Sequence, residues 1–387
     1  MTRAATTAAP QAPSVGDVPP LAGYTVAVTA ARRHEELTTM LERRGARVVG
    51  APAIRVVPLE DDTELRRSTY RCLEVPVDLG VATTGIGFRG WMEAADGWGV
   101  GEALRRRLDE ATLLTRGPKA RGAVRAAGLA DTWSPESESS EEVLHRLLGE
   151  PLAGRRVVVQ LHGEPLGWFV DALRDAGADV VAVPVYRCVP PDDLGAVRRL
   201  VDLTASRQVD VVSFTSAPAV SSVLRVAANS GAYAGFLDAL RSGVVAACVG
   251  PITAAPLEAV DVPSVRPVRS RLGALVREIG AVVPRRAHVL TAGAHRLEIR
   301  GHAVVLDGRL VPLAPAPMAV LRALAARPGH VVSRRDLLRV LPGKAGADAH
   351  AAEMAVNRLR RAVGGRVVQT VVKRGYRLAL DQAVTGP

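Results

Sequence analysis

LAGYTVAVTAARRHEELTTMLERRGARVVGAPAIRVVP, residues 21–58, returns as LAGRRVVVQLHGEPLGWFVDALRDAGADVVAVPVYRCVP, residues 152–190. Gly23 maps onto Gly154 at an offset of 131, and Gly45, Pro52, Arg55 and Pro58 map onto Gly177, Pro184, Arg187 and Pro190 at 132. The echo continues past these segments. Val77-Asp78 before Thr83-Thr84 matches Val209-Asp210 before Thr215-Ser216, and Gly117-Pro118 matches Gly250-Pro251. A repeat this long with so little drift predicts two copies of one fold.

Within each copy, short β-rich runs (Thr25 to Thr29, Arg47 to Val49, Val77 to Ala82) alternate with amphipathic segments such as Glu35 to Arg44. That alternation predicts α/β lobes, each a doubly wound parallel sheet covered by helices on both faces. The Pro-bounded segments are short and apolar and read as paired crossing strands. The chain is then expected to build lobe 1 from residues 21–52 and 191–280 and lobe 2 from 59–183, with 53–58 and 184–190 as linkers. Ligands of doubly wound sheets sit at the carboxyl ends of the strands, where polar or glycine-rich residues follow several runs here. The candidates for the cleft between the lobes are Arg32, Arg33, Thr83, Thr84, Arg116, Lys119, Thr215, Ser216 and Thr253.

The last quarter has a different character. From Arg285 onward there are 18 Lys+Arg against 6 Asp+Glu, which leaves 32 against 33 elsewhere, so all of the net charge of +11 is concentrated there. Concentration of one sign in one region is the electrostatic footprint of a nucleic-acid-binding domain. In AHAAEMAVNRLRRAV, residues 349–363, Ala352, Val356, Leu359 and Val363 share one helical face, and His350, Met354, Asn357, Arg358 and Arg361 share the opposite one. After Gly364-Gly365, two β-branched runs lead to Lys373-Arg374-Gly375-Tyr376-Arg377, a hairpin with a basic tip. A helix with a polar, cationic outer face beside such a hairpin suits a major groove and an adjacent backbone or minor-groove contact on double-stranded DNA.

Composition narrows the alternatives. A chain of 387 residues with 48% hydrophobic content has room for two or three domains. No apolar run approaches the roughly 18 residues needed to cross a membrane, and residues 1–20 read as an Ala-, Thr- and Pro-rich tail with no signal-peptide core. Cys72, Cys188 and Cys248 are scattered, which points to a reducing cytoplasm and to no metal site. His34, His145, His162 and His295 also lack metal-ligand spacing, and Gly85-Ile86-Gly87 is too short to be a dinucleotide loop. No metal or other cofactor is expected.

Two resemblances add to this reading. Leu306-Asp307-Gly308-Arg309, Arg327-Pro328-Gly329-His330-Val331-Val332-Ser333-Arg334, Arg358-Leu359-Arg360-Arg361 and Gly375-Tyr376-Arg377 occur in the order found in the winged-helix domains of OmpR/PhoB-type transcription regulators, which the chain resembles from about Arg296 to Leu380 within an expected domain of residues 288–380. The resemblance implies a winged helix-turn-helix domain. Pro315 and Pro317 blur the start of its first helix, and Lys373-Arg374 make the wing more cationic than usual. Residues 21–280 resemble uroporphyrinogen-III synthase through the duplicated layout, the two linkers, Tyr186 in the second linker, Thr215-Ser216 and the Gly250-Pro251-Ile252-Thr253 turn. That family closes the linear tetrapyrrole hydroxymethylbilane without a cofactor, and the resemblance implies Tyr186 as its proton donor. Ile252 stands where many synthases carry threonine, which implies weak or absent turnover.

The expected protein is therefore a cytoplasmic transcription regulator whose synthase-like half senses a ligand or partner. The alternative is an active or bifunctional synthase. Its partners would be operator DNA, contacted through His350, Met354, Asn357, Arg358, Arg361, Lys373, Arg374 and Arg377, and a linear tetrapyrrole or other polyanion. An oligomer on DNA fits this picture; a membrane does not.

Overall fold

The structure, a computed structural model, describes residues 18–59, 61–136, 138–161, 163, 166–342 and 349–380. Residues 1–17 of the expected tail, and His162, lie outside the described residues. Lobe 1 opens with β1 (Thr25–Val28), α1 (His34–Glu42) and β2 (Arg47–Gly50), and β3 (Arg55–Pro58) leaves it. Lobe 2 contains α2 (Thr63–Glu74), β4 (Leu79–Ala82), α3 (Gly85–Gly97), α4 (Gly101–Asp109), β5 (Thr112–Thr115), α5 (Pro118–Ala126), α6 (Ser140–Leu148), β6 (Arg156–Gln160), α7 (Gly167–Asp175) and β7 (Asp179–Val183). From β8 (Tyr186–Val189) the chain re-enters lobe 1 as α8 (Gly195–Ala205), β9 (Val211–Phe214), α9 (Ala217–Asn229), α10 (Tyr233–Ser242), β10 (Val245–Cys248), α11 (Pro251–Glu258), β11 (Ser264–Val265) and α12 (Leu272–Arg285).

Both lobes are parallel sheets between helices, in the orders β11-β10-β9-β1-β2 and β5-β4-β6-β7. Strands β1, β4, β9 and β10 are buried at every residue, as strands covered on both faces must be, which is why they read as apolar runs without alternation. In each sheet the connections reverse direction once, between β9 and β1 and between β4 and β6. These are the positions where loops diverge and leave a crevice.

The lobes are joined through an antiparallel pair, β3 with β8, in which Val56 lies opposite Cys188. At an offset of 132 these two residues are repeat equivalents. The hinge therefore pairs each copy with its own counterpart, and the pseudo-twofold axis passes through it.

The C-terminal domain comprises β12 (His288–Ala292), β13 (His295–Ile299), β14 (Ala303–Leu306), β15 (Arg309–Pro312), α13 (Pro315–Ala325), α14 (Arg334–Val340), α15 (Ala349–Val363), β16 (Val368–Val371) and β17 (Gly375–Leu378). Its first four strands form an antiparallel sheet and the last two form the wing. Asp307 and Gly308 have φ of 48° and 83° between the paired Leu306 and Arg309, the two-residue turn that an Asp-Gly dipeptide favours. Pro315 is the first residue of α13, where its missing N–H and fixed φ cost nothing, so the unusual proline starts the helix. Ser333 caps α14 by accepting from the Asp336 N–H at 3.1 Å while its hydroxyl donates to the Asp336 carboxylate at 2.7 Å. This domain has its own core, centred on Leu297, Leu321, Leu324, Leu337, Val356 and Leu359, all fully buried.

Candidate functional site

On α15 the inner face is as the periodicity predicts: Ala352, Val356, Leu359 and Val363 are fully buried. His350, Met354, Asn357, Arg358 and Arg361 are exposed on the outer face, and Lys373, Arg374 and Arg377 are exposed on the wing. Arg360, between them in sequence, does something else. It donates to the Val368 carbonyl at 3.0 Å and to the Thr370 hydroxyl at 2.7 Å, and its guanidinium lies 5.7 Å from the Tyr376 ring centre. Arg334 approaches the same ring at 5.9 Å, so Tyr376 is held between two arginines that tie α14 and α15 to the wing. Gly375, at φ 138°, lets the wing lie flat on the Val332 carbonyl, where any side chain would collide. Arg377 donates to Gln369 across the wing at 3.1 Å.

At the interlobe cleft the structure brings together part of the expected set. Tyr186 starts β8, half-buried, with its hydroxyl 3.5 Å from that of Thr84, which caps α3. Burial holds the Tyr186 phenol above the usual tyrosine range, opposed by the Thr84 contact and by the charges of Arg32 and Arg116. Arg32 comes from lobe 1 and Arg116 from lobe 2, so the phenol sits where both lobes present cations. Burial depresses the Arg116 guanidinium from its ordinary value, with Tyr186 and Glu138 opposing that. Lys119, in the first turn of α5, acts electrostatically on Glu36 of lobe 1 across the cleft.

Other expected residues are placed differently. Thr83 is buried, and its hydroxyl donates to the Gln160 carbonyl at 2.6 Å, while its N–H and that of Thr84 donate to the Gln160 side-chain oxygen at 3.2 and 3.1 Å. It fastens β4 to β6 at the crevice. Thr253 is buried in the first turn of α11, next to the half-buried Ile252. Arg33 is paired with Glu36 on its own helix. Thr215 and Ser216 are half-buried between β9 and α9.

Two residues at the cleft were absent from the candidates. Glu138 of lobe 2 accepts from Arg271 of lobe 1, with a closest approach of 3.1 Å, and lies against Gly117 at the start of α5. Its repeat equivalent at 132, Ser270, lies in the same way against Gly250. The repeat could have pointed to this pair; charge alone could not. Arg271 is the N-cap of α12, which buries Leu275, Val276, Ile279 and Val283 in lobe 1 and runs to Arg285, leaving two residues before β12 of the C-terminal domain.

The sequence also gave no sign of the junction at the other end of lobe 1. Arg300 is buried there, donating to the Ala22 carbonyl at 2.7 Å and the Pro19 carbonyl at 3.2 Å, with its guanidinium 5.4 Å from the Tyr24 ring centre. The His302 N–H donates to the Gly23 carbonyl at 2.7 Å. The C-terminal domain is thus seated on the strand-start edge of lobe 1, opposite the cleft.

Residues 35–277 match the family model of uroporphyrinogen-III synthase HemD, and residues 308–378 match that of the C-terminal domain of transcriptional regulatory proteins. The chain is 29% identical over 265 residues to the uncharacterized protein YjjA of Bacillus subtilis, covering 67% of this chain and 96% of that one. It is similar to a crystal structure of a mutant uroporphyrinogen III synthase from Thermus thermophilus, with TM-score 0.56 and 27% identity, over 68% of this chain and 100% of that one. Over 117 residues it is 37% identical to the response regulator protein PmrA of Pseudomonas aeruginosa, 30% of this chain and 50% of that regulator. No helix among the described residues is long and apolar enough to cross a membrane.

Proposed function

The chain belongs to the uroporphyrinogen-III synthase HemD family and carries a transcriptional-regulator DNA-binding domain of the OmpR/PhoB type, and from this we propose that it is a DNA-binding regulator whose synthase-like half senses a polyanionic ligand in the interlobe cleft. The observation that carries the reading is α12. One helix is capped by Arg271, whose guanidinium reaches across the cleft to Glu138, and ends at Arg285, with two residues between it and β12 of the DNA-binding domain. An anion that draws in Arg32, Arg116 and Lys119 competes with Glu138 for cations and moves one lobe against the other about β3 and β8. Rigid-body closure about such a hinge is an established way to turn binding into domain movement. The exposed face of α15 and the wing stay open in the docked domain, so DNA can bind without undocking.

The test is reciprocal coupling. A linear tetrapyrrole titrated into the full chain, with and without a DNA fragment selected for binding, should show affinities that differ by about 5- to 150-fold, and DNA affinity should change by the same factor. Equal affinities would leave two tethered but independent halves. In the same system Arg358→Ala should lower the salt slope of DNA binding by about one, while Asn357→Ala should cost about 1 to 3 kcal/mol and act on sequence choice.

The placement of Tyr186 favours a second reading, residual synthase chemistry. A phenol that burial keeps protonated, beside Thr84 and two arginines, is positioned to donate a proton to a leaving hydroxyl. Under that reading the protein converts hydroxymethylbilane to the type-III product, and Tyr186→Phe suppresses that conversion.

A further inference from the structure

A cavity of about 320 Å³ lies between lobe 1 and the DNA-binding domain, on the far side of lobe 1 from the cleft. Lobe 1 contributes Tyr24, Asp210 and Val245 to its wall, and the segment entering the DNA-binding domain and that domain itself contribute Arg286, Ile299 and Arg322. The volume is that of about ten waters and falls in the range of small-ligand sites, which favour domain junctions.

We propose that this cavity is a second ligand site, for a small organic acid that carries a hydroxyl or ammonium group beside its carboxylate. The inference goes beyond the sensing role of the cleft and does not depend on it. Tyr24 lines the cavity and is only 4% exposed, and its enclosed hydroxyl has no hydrogen-bond partner among the described residues. A buried hydroxyl left unpaired costs about 1 to 3 kcal/mol, which an occupant able to bond with it recovers. Arg286 forms no ion pair among the described residues. Arg322 uses one nitrogen, on the Gly301 carbonyl at 2.6 Å, and its other N–H groups remain for a carboxylate. Arg300, by contrast, is occupied by backbone carbonyls and by Glu298 at 2.9 Å, and serves as wall.

The opposite requirement comes from Asp210. One of its oxygens accepts from the Thr25 N–H at 2.7 Å, and burial pushes its carboxyl up to about 6. A carboxylate so placed accepts from a hydroxyl or ammonium and repels a second anionic group. The wall therefore selects one acid function at the arginines and one donor at Asp210 and Tyr24.

The experiment uses the full chain, with L-serine, L-threonine, L-lactate and 3-hydroxybutyrate as probes and succinate as the dicarboxylate control, followed by calorimetry. At least one probe should bind saturably and succinate should bind more weakly. Arg286→Ala and Tyr24→Phe should each weaken that probe about tenfold, the range expected for losing a hydrogen bond to a charged or buried partner, while Arg32→Ala in the cleft leaves it unchanged. Tyr24→Phe keeps the ring beneath Arg300 and so keeps the junction. Failure of all four probes to bind removes the site, and binding that persists in both cavity variants but falls in Arg32→Ala assigns the probe to the cleft instead.

Discussion

The strand-start edges of the two lobes are the same structure put to different uses. In lobe 2, Asp78 accepts from the Arg156 N–H at 2.7 Å; in lobe 1, its equivalent Asp210 accepts from the Thr25 N–H at 2.7 Å. Gly154 and Gly23 turn the chain at φ 77° and 86°. In lobe 2 that edge faces solvent: Asp78 is exposed and a Cβ on Gly154 would meet nothing within 4 Å. In lobe 1 the DNA-binding domain covers it, a Cβ on Gly23 would come within 2.9 Å of the Ala303 side chain, and Tyr24 lies under Arg300 where lobe 2 has Arg155 paired with Glu150. Duplication supplied an edge that could be left open or built upon, and the local changes needed for a docking surface were few.

The largest break in that comparison should come from Arg300→Ala. It removes the buried cation that two backbone carbonyls accept from and leaves Glu298 only its longer pair with Arg296 at 3.9 Å, so we expect about 3 kcal/mol lost in denaturant unfolding and faster amide exchange at Gly23 to Thr25. Arg155→Ala, which breaks a partly exposed ion pair at the matching place, should cost under about 1 kcal/mol. Similar losses in the two variants would mean that the docking contacts contribute little.

Alanine at the paired glycines is next in size. Both positions have positive φ and should lose about 1 kcal/mol to backbone strain, but Gly23→Ala must also displace Ala303 and should lose roughly 1 kcal/mol more than Gly154→Ala in thermal unfolding.

The smallest effect concerns pH. Burial raises the Asp210 carboxyl from 3.8 to about 6, with the Thr25 N–H and Arg322 opposing, so folding favours its protonated form. That contribution is present in full below about pH 4 and is lost as pH rises through 6. Asp210→Asn should flatten this part of the stability profile and leave the variant about 1 kcal/mol more stable than the parent at pH 7.5. A wild-type profile that rises between pH 4 and 6 by the amount lost in Asp210→Asn would reverse the sign and remove burial as the cause.

The cleft shows where reading the sequence reached its range. The loops at the strand ends could be placed because polar residues follow apolar runs, which pointed to Arg32 and Arg116, while Tyr186 came from the family resemblance. Thr83 is equally polar and equally close to a strand end, but it faces inward to Gln160, a distinction that depends on a partner 77 residues away. Glu138 and Arg271 lie 133 residues apart and meet only because β3 and β8 fold one lobe against the other.

By itself the sequence determined the duplication, the α/β class, the basic terminal domain and the two faces of α15, because each is recorded as a local period, a repeat offset or a sum of charge. Tertiary structure alone decided that the DNA-binding domain sits on lobe 1 at the edge opposite the cleft, with a cavity beneath it and α12 running between the two. Those features depend on which surfaces meet. Arg300 has no neighbour in sequence that marks it for burial; only the carbonyls of Pro19 and Ala22, brought to it from the other end of the chain, replace the water that a guanidinium would otherwise keep.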